Sequence, residues 1–179
     1  MTERIEARRI EYEQPWLTVV AKDLRRSADA SIETYYSVQT HDYAAVLAIL
    51  EDGRVPLVRQ YRPAIERRSL ELPSGLVEEG EDPAAAVRRE LFEETGCEAD
   101  SVDLIGEFDL DSGRMQTRHW AFFAPSARFV TGEPSGEETD IEVTFVPATD
   151  VRRLVREGEF RMAGHLALLA AALVRGLLP

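Results

Sequence analysis

Along this chain, strand signals outnumber helical ones. Residues 17–23 and 32–40 are rich in β-branched and aromatic side chains, and the polar stretch 25–30 separates them. That pattern predicts two paired strands. Residues 44–50 form a continuous apolar run. This suits a buried strand, although periodicity alone does not separate it from a buried helix. Glu51-Asp52-Gly53 reads as a turn. Residues 55–61 then read as its hairpin partner, with Pro56 pointing to an edge position. A short strand over 69–72 should end at Pro73. Strands over 102–110 and 119–124 should flank the turn Asp111-Ser112-Gly113. Residues 125–140 are polar and rich in Pro and Gly, hence a loop, and 142–147 form a last strand.

The best-defined helix runs over 83–95. Asp82 suits the N-cap, Pro83 the first helical position and Gly96 the position past the end. Thr149 or Asp150 can cap a short helix that reaches Arg156 and stops at Gly158. Residues 162–177 have helical character, with Leu and Ala on most faces, and should pack on a sheet. Many strands with a few interspersed helices predict a mixed α/β layer architecture. A boundary is expected near residue 42, giving a strand-rich segment 1–42 and a main domain 43–179.

Charge and cysteine content narrow the chemistry. The 179 residues carry a net charge of −12, which argues against nucleic acid and anionic membranes as partners. Anionic small molecules remain open, because a bound cation reverses the local sign. Cys97 is the only cysteine, so neither an intrachain disulfide nor a Cys-rich zinc site is expected. Residues 1–13 lack an apolar signal core. The longest apolar run, 166–174, is far short of the ~20 residues of a membrane span. A reduced, cytoplasmic protein is the expectation.

On the helix 83–95, Val87 and Leu91 share the core stripe at about 100° per residue. Glu90, Glu93 and Glu94 occupy the sector beside it, and Arg89 lies next to Glu93. Like charges at i and i+4 destabilise a helix, and partial burial worsens the repulsion. A hard divalent cation such as Mg²⁺ relieves it. A bare Glu-Glu pair is more often just a solvated face.

The context is more specific. Gly75, Glu81, Arg89, Glu90, Leu91, Glu93, Glu94 and Gly96 stand at the spacings of the Nudix box, with Cys97 at its last hydrophobic position. The chain from about residue 44 onward resembles the Nudix hydrolases. The resemblance implies an α/β/α sandwich with a mixed sheet, the segment 1–42 being an antiparallel β appendage. It implies that Glu81 orders the loop through Arg89. Metal ligation falls to Glu90, Glu94 and Glu93 with the Ser74 carbonyl, using Mg²⁺ or, in its place, Mn²⁺. The implied reaction is hydrolysis of a nucleoside diphosphate linked to another group.

Other segments resemble the ADP-ribose and ADP-sugar pyrophosphatase branch, and so imply a small nucleotide sugar as substrate. Gln60-Tyr61-Arg62 implies substrate contact at Arg62, with Gln60 beside it. In Glu71-Leu72-Pro73-Ser74-Gly75, Glu71 is a candidate for metal or substrate, with a plain pairing to a nearby arginine as the alternative. Trp16 and Tyr35 match adenine-stacking aromatics of an N-terminal segment that joins two subunits, so a homodimer is implied. The acidic run 137–142 offers Glu138 or Glu137 as base or metal ligand. One departure is that residues 109–117 lack the proline many ADP-ribose enzymes carry there, which keeps GDP-mannose and other sugar nucleotides open. A non-catalytic nucleotide-sugar-binding module is the competing class. His41, His119 and His165 show no ligand-like spacing and are read as structural. Arg114 and Arg118 are read as solvent-facing loop cations, with contact to phosphate or ribose as the alternative.

Overall fold

The computed structural model describes residues 3–27, 30–131 and 140–179, and the chain forms two compact units. The first comprises Met1–Asp42 and Asp109–Arg118. Strands β1 (Arg4–Gln14), β2 (Leu17–Arg25) and β3 (Glu33–Gln39) form an antiparallel sheet in that order. The pairing of β2 with β3 follows the sequence pattern, whereas β1 does not announce itself. Its register shifts between Ile5 and Ala7 and again between Ile10 and Tyr12. Each such bulge breaks the period-two signal of a strand. Residues 109–118 join this sheet. Val38 N donates to Arg114 O (2.8 Å), and Gln116 N donates to Val38 O (3.0 Å).

The second unit begins with β4 (Tyr43–Leu50), β5 (Arg54–Arg62), β6 (Arg67–Glu71) and β7 (Ser74–Leu76). Helix α1 (Pro83–Thr95) follows, then β8 (Cys97–Ala99), β9 (Asp103–Asp109), β10 (Arg118–Phe129) and β11 (Glu142–Pro147). Helices α2 (Ala148–Arg156) and α3 (Ala163–Val174) complete it. A mixed sheet runs β7-β4-β10-β8, with β9 on β10 and β4 parallel to β10. A second sheet runs β11-β5-β6.

Strand β4 shows why the layers form. Ala44, Val46, Ala48 and Leu50 face one way and pack with Ala86, Val87 and Leu91 of α1. Ala45 and Leu47 face the other way and pack with Val151 of α2 and Leu168, Leu169 and Ala172 of α3. Successive side chains of a strand point to opposite faces, so one apolar run serves two cores. This is the mixed α/β/α sandwich expected.

Some local expectations need correction. Strand β5 follows β4 through the turn but is the centre of the second sheet, not an edge hairpin partner. Pro56 is tolerated because the β6 ladder ends at Val58–Glu71, leaving it paired only with Phe145 of β11. Strand β10 continues through Pro125 to Phe129, where a loop was expected. Its register with β4 shifts between Ala124 and Ala127, so the proline sits at an irregularity. Helix α2 starts from Pro147, with no side-chain cap from Thr149 or Asp150. Among the described residues no helix is long and apolar enough to cross a membrane.

Candidate active site

Helix α1 is built as its sequence dictates. The Asp82 carboxylate accepts from Ala84 N, and Gly96 closes the helix at φ 66°. Its buried stripe fixes its rotation, which delivers Glu90 and Glu94 to the loop Glu71–Leu76. The Glu94 carboxylate is 6 % exposed and accepts from Ser74 N at 2.8 Å. Glu90 lies against the loop where Gly75 has no side chain, since a Cβ there would fall 2.1 Å from Glu90 Oε1.

Arg89 is the buttress. Its guanidinium donates to both oxygens of Glu81 (3.2 Å each), to Glu90 (2.6 Å), to Glu93 (3.1 Å) and to Leu76 O (3.2 Å). Arg89 holds the Glu81 carboxyl below the usual range, helped by the Glu78 N–H against the cost of burial. The same acceptors raise the Arg89 pKa. Glu81 thus orders the loop through Arg89, as the resemblance implies.

Glu71 takes the pairing read as its alternative. It is 2 % exposed, and Arg62 grips it with two hydrogen bonds of 3.0 and 2.5 Å. Such a fork-to-fork pair is strong and directional. Gln60 is buried on β5, and its amide nitrogen has no partner among the described residues.

Trp16 and Tyr35 belong to the first unit. Trp16 is 69 % exposed at the turn between β1 and β2. Tyr35 sits opposite Lys22 and lies under the Arg114 guanidinium, 4.7 Å from its ring centre. The strand residue facing Thr18 is Gln39, so roughly 13 Å of strand separates Tyr35 from the Trp16 end. One chain does not bring these two rings together. Arg118 pairs with Asp42 at 2.7 Å and Arg114 lies over Tyr35, and both remain solvent-facing as expected. Glu137 and Glu138 lie outside the described residues.

Tyr43, His119 and His165 form a cluster that carried no role in the sequence reading. The Tyr43 ring stacks on His119 (5.6 Å between centroids) and on His165 (6.5 Å), and both imidazoles are fully buried. The Tyr43 hydroxyl lies 2.9 Å from Ser74 Oγ and accepts from Arg62 (3.3 Å). No sequence spacing links residues 43, 119 and 165; the parallel pairing of His119 with Tyr43 joins two of them, and helix α3 supplies the third.

Among the described residues no group of three His, Cys, Asp or Glu side chains is placed to hold a metal ion. The donors nevertheless fit a hard divalent cation. They are all oxygens: the Glu90 and Glu94 carboxylates and the Ser74 carbonyl. The Gly75 gap lets Glu90 reach the same loop that Glu94 holds. Mg²⁺ ordinarily draws its remaining ligands from water and substrate phosphate.

The sandwich thus carries a cluster of carboxylates held by an arginine buttress on one loop-helix. Residues 39–169 match the NUDIX domain family, and the chain belongs to that family as a Nudix hydrolase. It is 32 % identical over 156 residues to the ADP-ribose pyrophosphatase of Mycobacterium tuberculosis, covering 83 % of this chain and 75 % of that one. It is 30 % identical over 136 residues to the GDP-mannose pyrophosphatase of Yersinia enterocolitica, covering 71 % and 70 %. A crystal structure of an ADP compounds hydrolase superposes with a TM-score of 0.81 at 20 % identity, covering 99 % of this chain and 94 % of that one.

Proposed function

We propose that this hydrolase cleaves the pyrophosphate bond of a nucleoside diphosphate sugar, with ADP-ribose converted to AMP and ribose 5-phosphate in the presence of Mg²⁺ or Mn²⁺. The observation that carries the reading is the loop Glu71–Leu76, gripped from one side by Arg62 and from the other by Glu94. It sets the Arg62 guanidinium, a group whose planar fork suits phosphate, beside several oxygen donors.

In this reading Glu90, Glu94, Glu93 and the Ser74 carbonyl would hold the cation. When bound, it neutralises the pyrophosphate and lowers the pKa of water. Arg89 keeps Glu90 and Glu93 aligned. Arg62 and its neighbour Gln60 orient the phosphates, with Glu71 holding the guanidinium in plane. Glu138, or Glu137, takes a proton from the attacking water. The water oxygen bonds to one phosphorus as the bridging P–O bond breaks, and the bridging oxygen leaves with the other phosphate. Trp16 and Tyr35 stack on the base from two subunits of a homodimer joined through residues 1–42. The acidic chain works in the cytoplasm, without nucleic acid or membrane as partner.

A second reading, GDP-mannose as substrate, is favoured by the Yersinia relative and by the proline-free segment 109–117. A panel of ADP-ribose, GDP-mannose, NADH, diadenosine polyphosphates and 8-oxo-dGTP, with products weighed by mass spectrometry, separates them. AMP and ribose 5-phosphate from ADP-ribose, lost in EDTA and restored by Mg²⁺, is the expected outcome. Cleavage of triphosphates alone, or full turnover by metal-stripped enzyme, overturns the reading.

A further inference from the structure

The segment Leu72-Pro73-Ser74 is bonded at nearly every polar atom. Leu72 N donates to His165 Nδ1 at 3.2 Å, and Ser74 Oγ donates to Leu72 O at 3.0 Å. Val46 N donates to Pro73 O at 3.0 Å. Ser74 N donates to Glu94.

The hydroxyls have a direction. The Arg62 guanidinium only donates, so Tyr43 O accepts there. The Ser74 hydroxyl spends its proton on Leu72 O, so the Tyr43 hydroxyl donates to Ser74 Oγ. The chain of donors therefore runs from Arg62 through Tyr43 and Ser74 to Leu72. His165 Nδ1 is an acceptor, which requires the neutral ring with its proton on Nε2. The Tyr43 ring thus stacks on the neutral His165 and on the buried His119 and has little freedom to shift.

We propose that Tyr43 is a positioning residue that couples the two halves of the site, its hydroxyl tying the phosphate-facing Arg62 to the cation-facing Ser74. This rests on the function proposed above. Displacing Arg62 toward a substrate phosphate pulls on the hydroxyl that sets Ser74, and a cation held at the Ser74 carbonyl stiffens the anchor of Arg62. Each ligand then sharpens the site for the other. The coupling is reciprocal. Because outer-shell partners commonly alter metal affinity about 10–100-fold, losing the tie should be measurable without turnover.

Tyr43→Phe keeps the ring stack and removes only the hydroxyl. Mn²⁺ binding to the substrate-free protein, followed by electron paramagnetic resonance, should weaken about tenfold. KM for ADP-ribose should rise and lose its dependence on Mn²⁺ concentration, while kcat at saturating metal changes less. Ser74→Ala cuts the same chain at its next link. It should weaken Mn²⁺ in the same direction, and the double variant should be no worse than the weaker single one. Unchanged Mn²⁺ affinity in both single variants, or fully additive effects in the double variant, overturns the coupling. Glu94→Gln is the control for the underlying function. If wild-type protein binds no Mn²⁺ that Glu94→Gln abolishes, the proposed function fails with it.

Discussion

Glu90 Oε1 occupies the space in which a side chain on Gly75 would begin, 2.1 Å from the position of its Cβ. The requirement for glycine here is one of room, since Gly75 is not among the positive-φ glycines. Gly75→Ala should leave the fold intact but turn Glu90 away from the loop. Activity should fall at least tenfold, with Mn²⁺ affinity falling in parallel. Full activity with normal metal affinity in this variant would mean that Glu90 has no business at the loop.

Glu94→Gln retains an oxygen that can accept from Ser74 N but loses the charge. Circular dichroism should match wild type, while kcat drops by about two or more orders of magnitude at saturating Mg²⁺. A kcat within a factor of three of wild type excludes Glu94 as a cation ligand.

Arg62 is the ion-pair partner of the buried Glu71. Arg62→Ala strands Glu71 at 2 % exposure without its cation, a loss worth about 3 kcal/mol. Arg62→Ala should also raise KM for ADP-ribose; Arg62→Ala/Glu71→Gln should regain much of the lost stability in urea unfolding, yet keep that rise in KM. No recovery in the double variant shows that the pair contributes no mutual stabilisation.

Burial pushes the imidazoles of His119 and His165 down from 6.5, to about 4 and about 3. Between these values and 6.5 the unfolded chain binds more protons than the folded one. Their contribution to stability is therefore present above pH 6.5 and lost as pH falls. Lowered carboxylates such as Glu81 act in the same direction, but only below about 4.5. The melting temperature should decline from pH 6.5 to 4.5, and less steeply in His119→Phe, which keeps a ring against Tyr43. Equal slopes in the two proteins place the acid sensitivity elsewhere.

Trp16, 69 % exposed, is expected to find its cover in a second subunit and a bound base. Light scattering at micromolar concentration should report a dimer, and Trp16→Ala should weaken substrate binding by ~1–3 kcal/mol with Mn²⁺ affinity untouched. A fully active monomer removes the dimer from the account.

Most of the frame was legible where local chemistry and tertiary structure agree. Asp82, Pro83 and Gly96 mark the ends of α1, and the apolar run of β4 marks a strand buried on both sides. Legibility failed where partners are distant or periodicity is broken. The bulges of β1 hide its alternation. Pro56 and Pro125 look like strand breakers until the ends of their ladders are known. In the site, the carboxylates of α1 and Arg89 could be read from the resemblance to the Nudix box. The Tyr43–His119–His165 stack could not, because residues 76 and 122 positions from Tyr43 meet it only through the parallel β4–β10 pairing and the packing of α3.

The chain leaves and re-enters its two units three times, at residues 42/43, 108/109 and 118/119. The N-terminal sheet is therefore not an add-on in the genetic sense. A deletion that stops at residue 42 discards three strands but keeps the excursion 109–118, whose backbone would lose the Val38 groups it bonds. Nor can either unit be released by a single protease cut. Recombination that traded only the first forty residues with another Nudix chain would also have to replace the excursion, so the two segments are bound to be inherited as a pair.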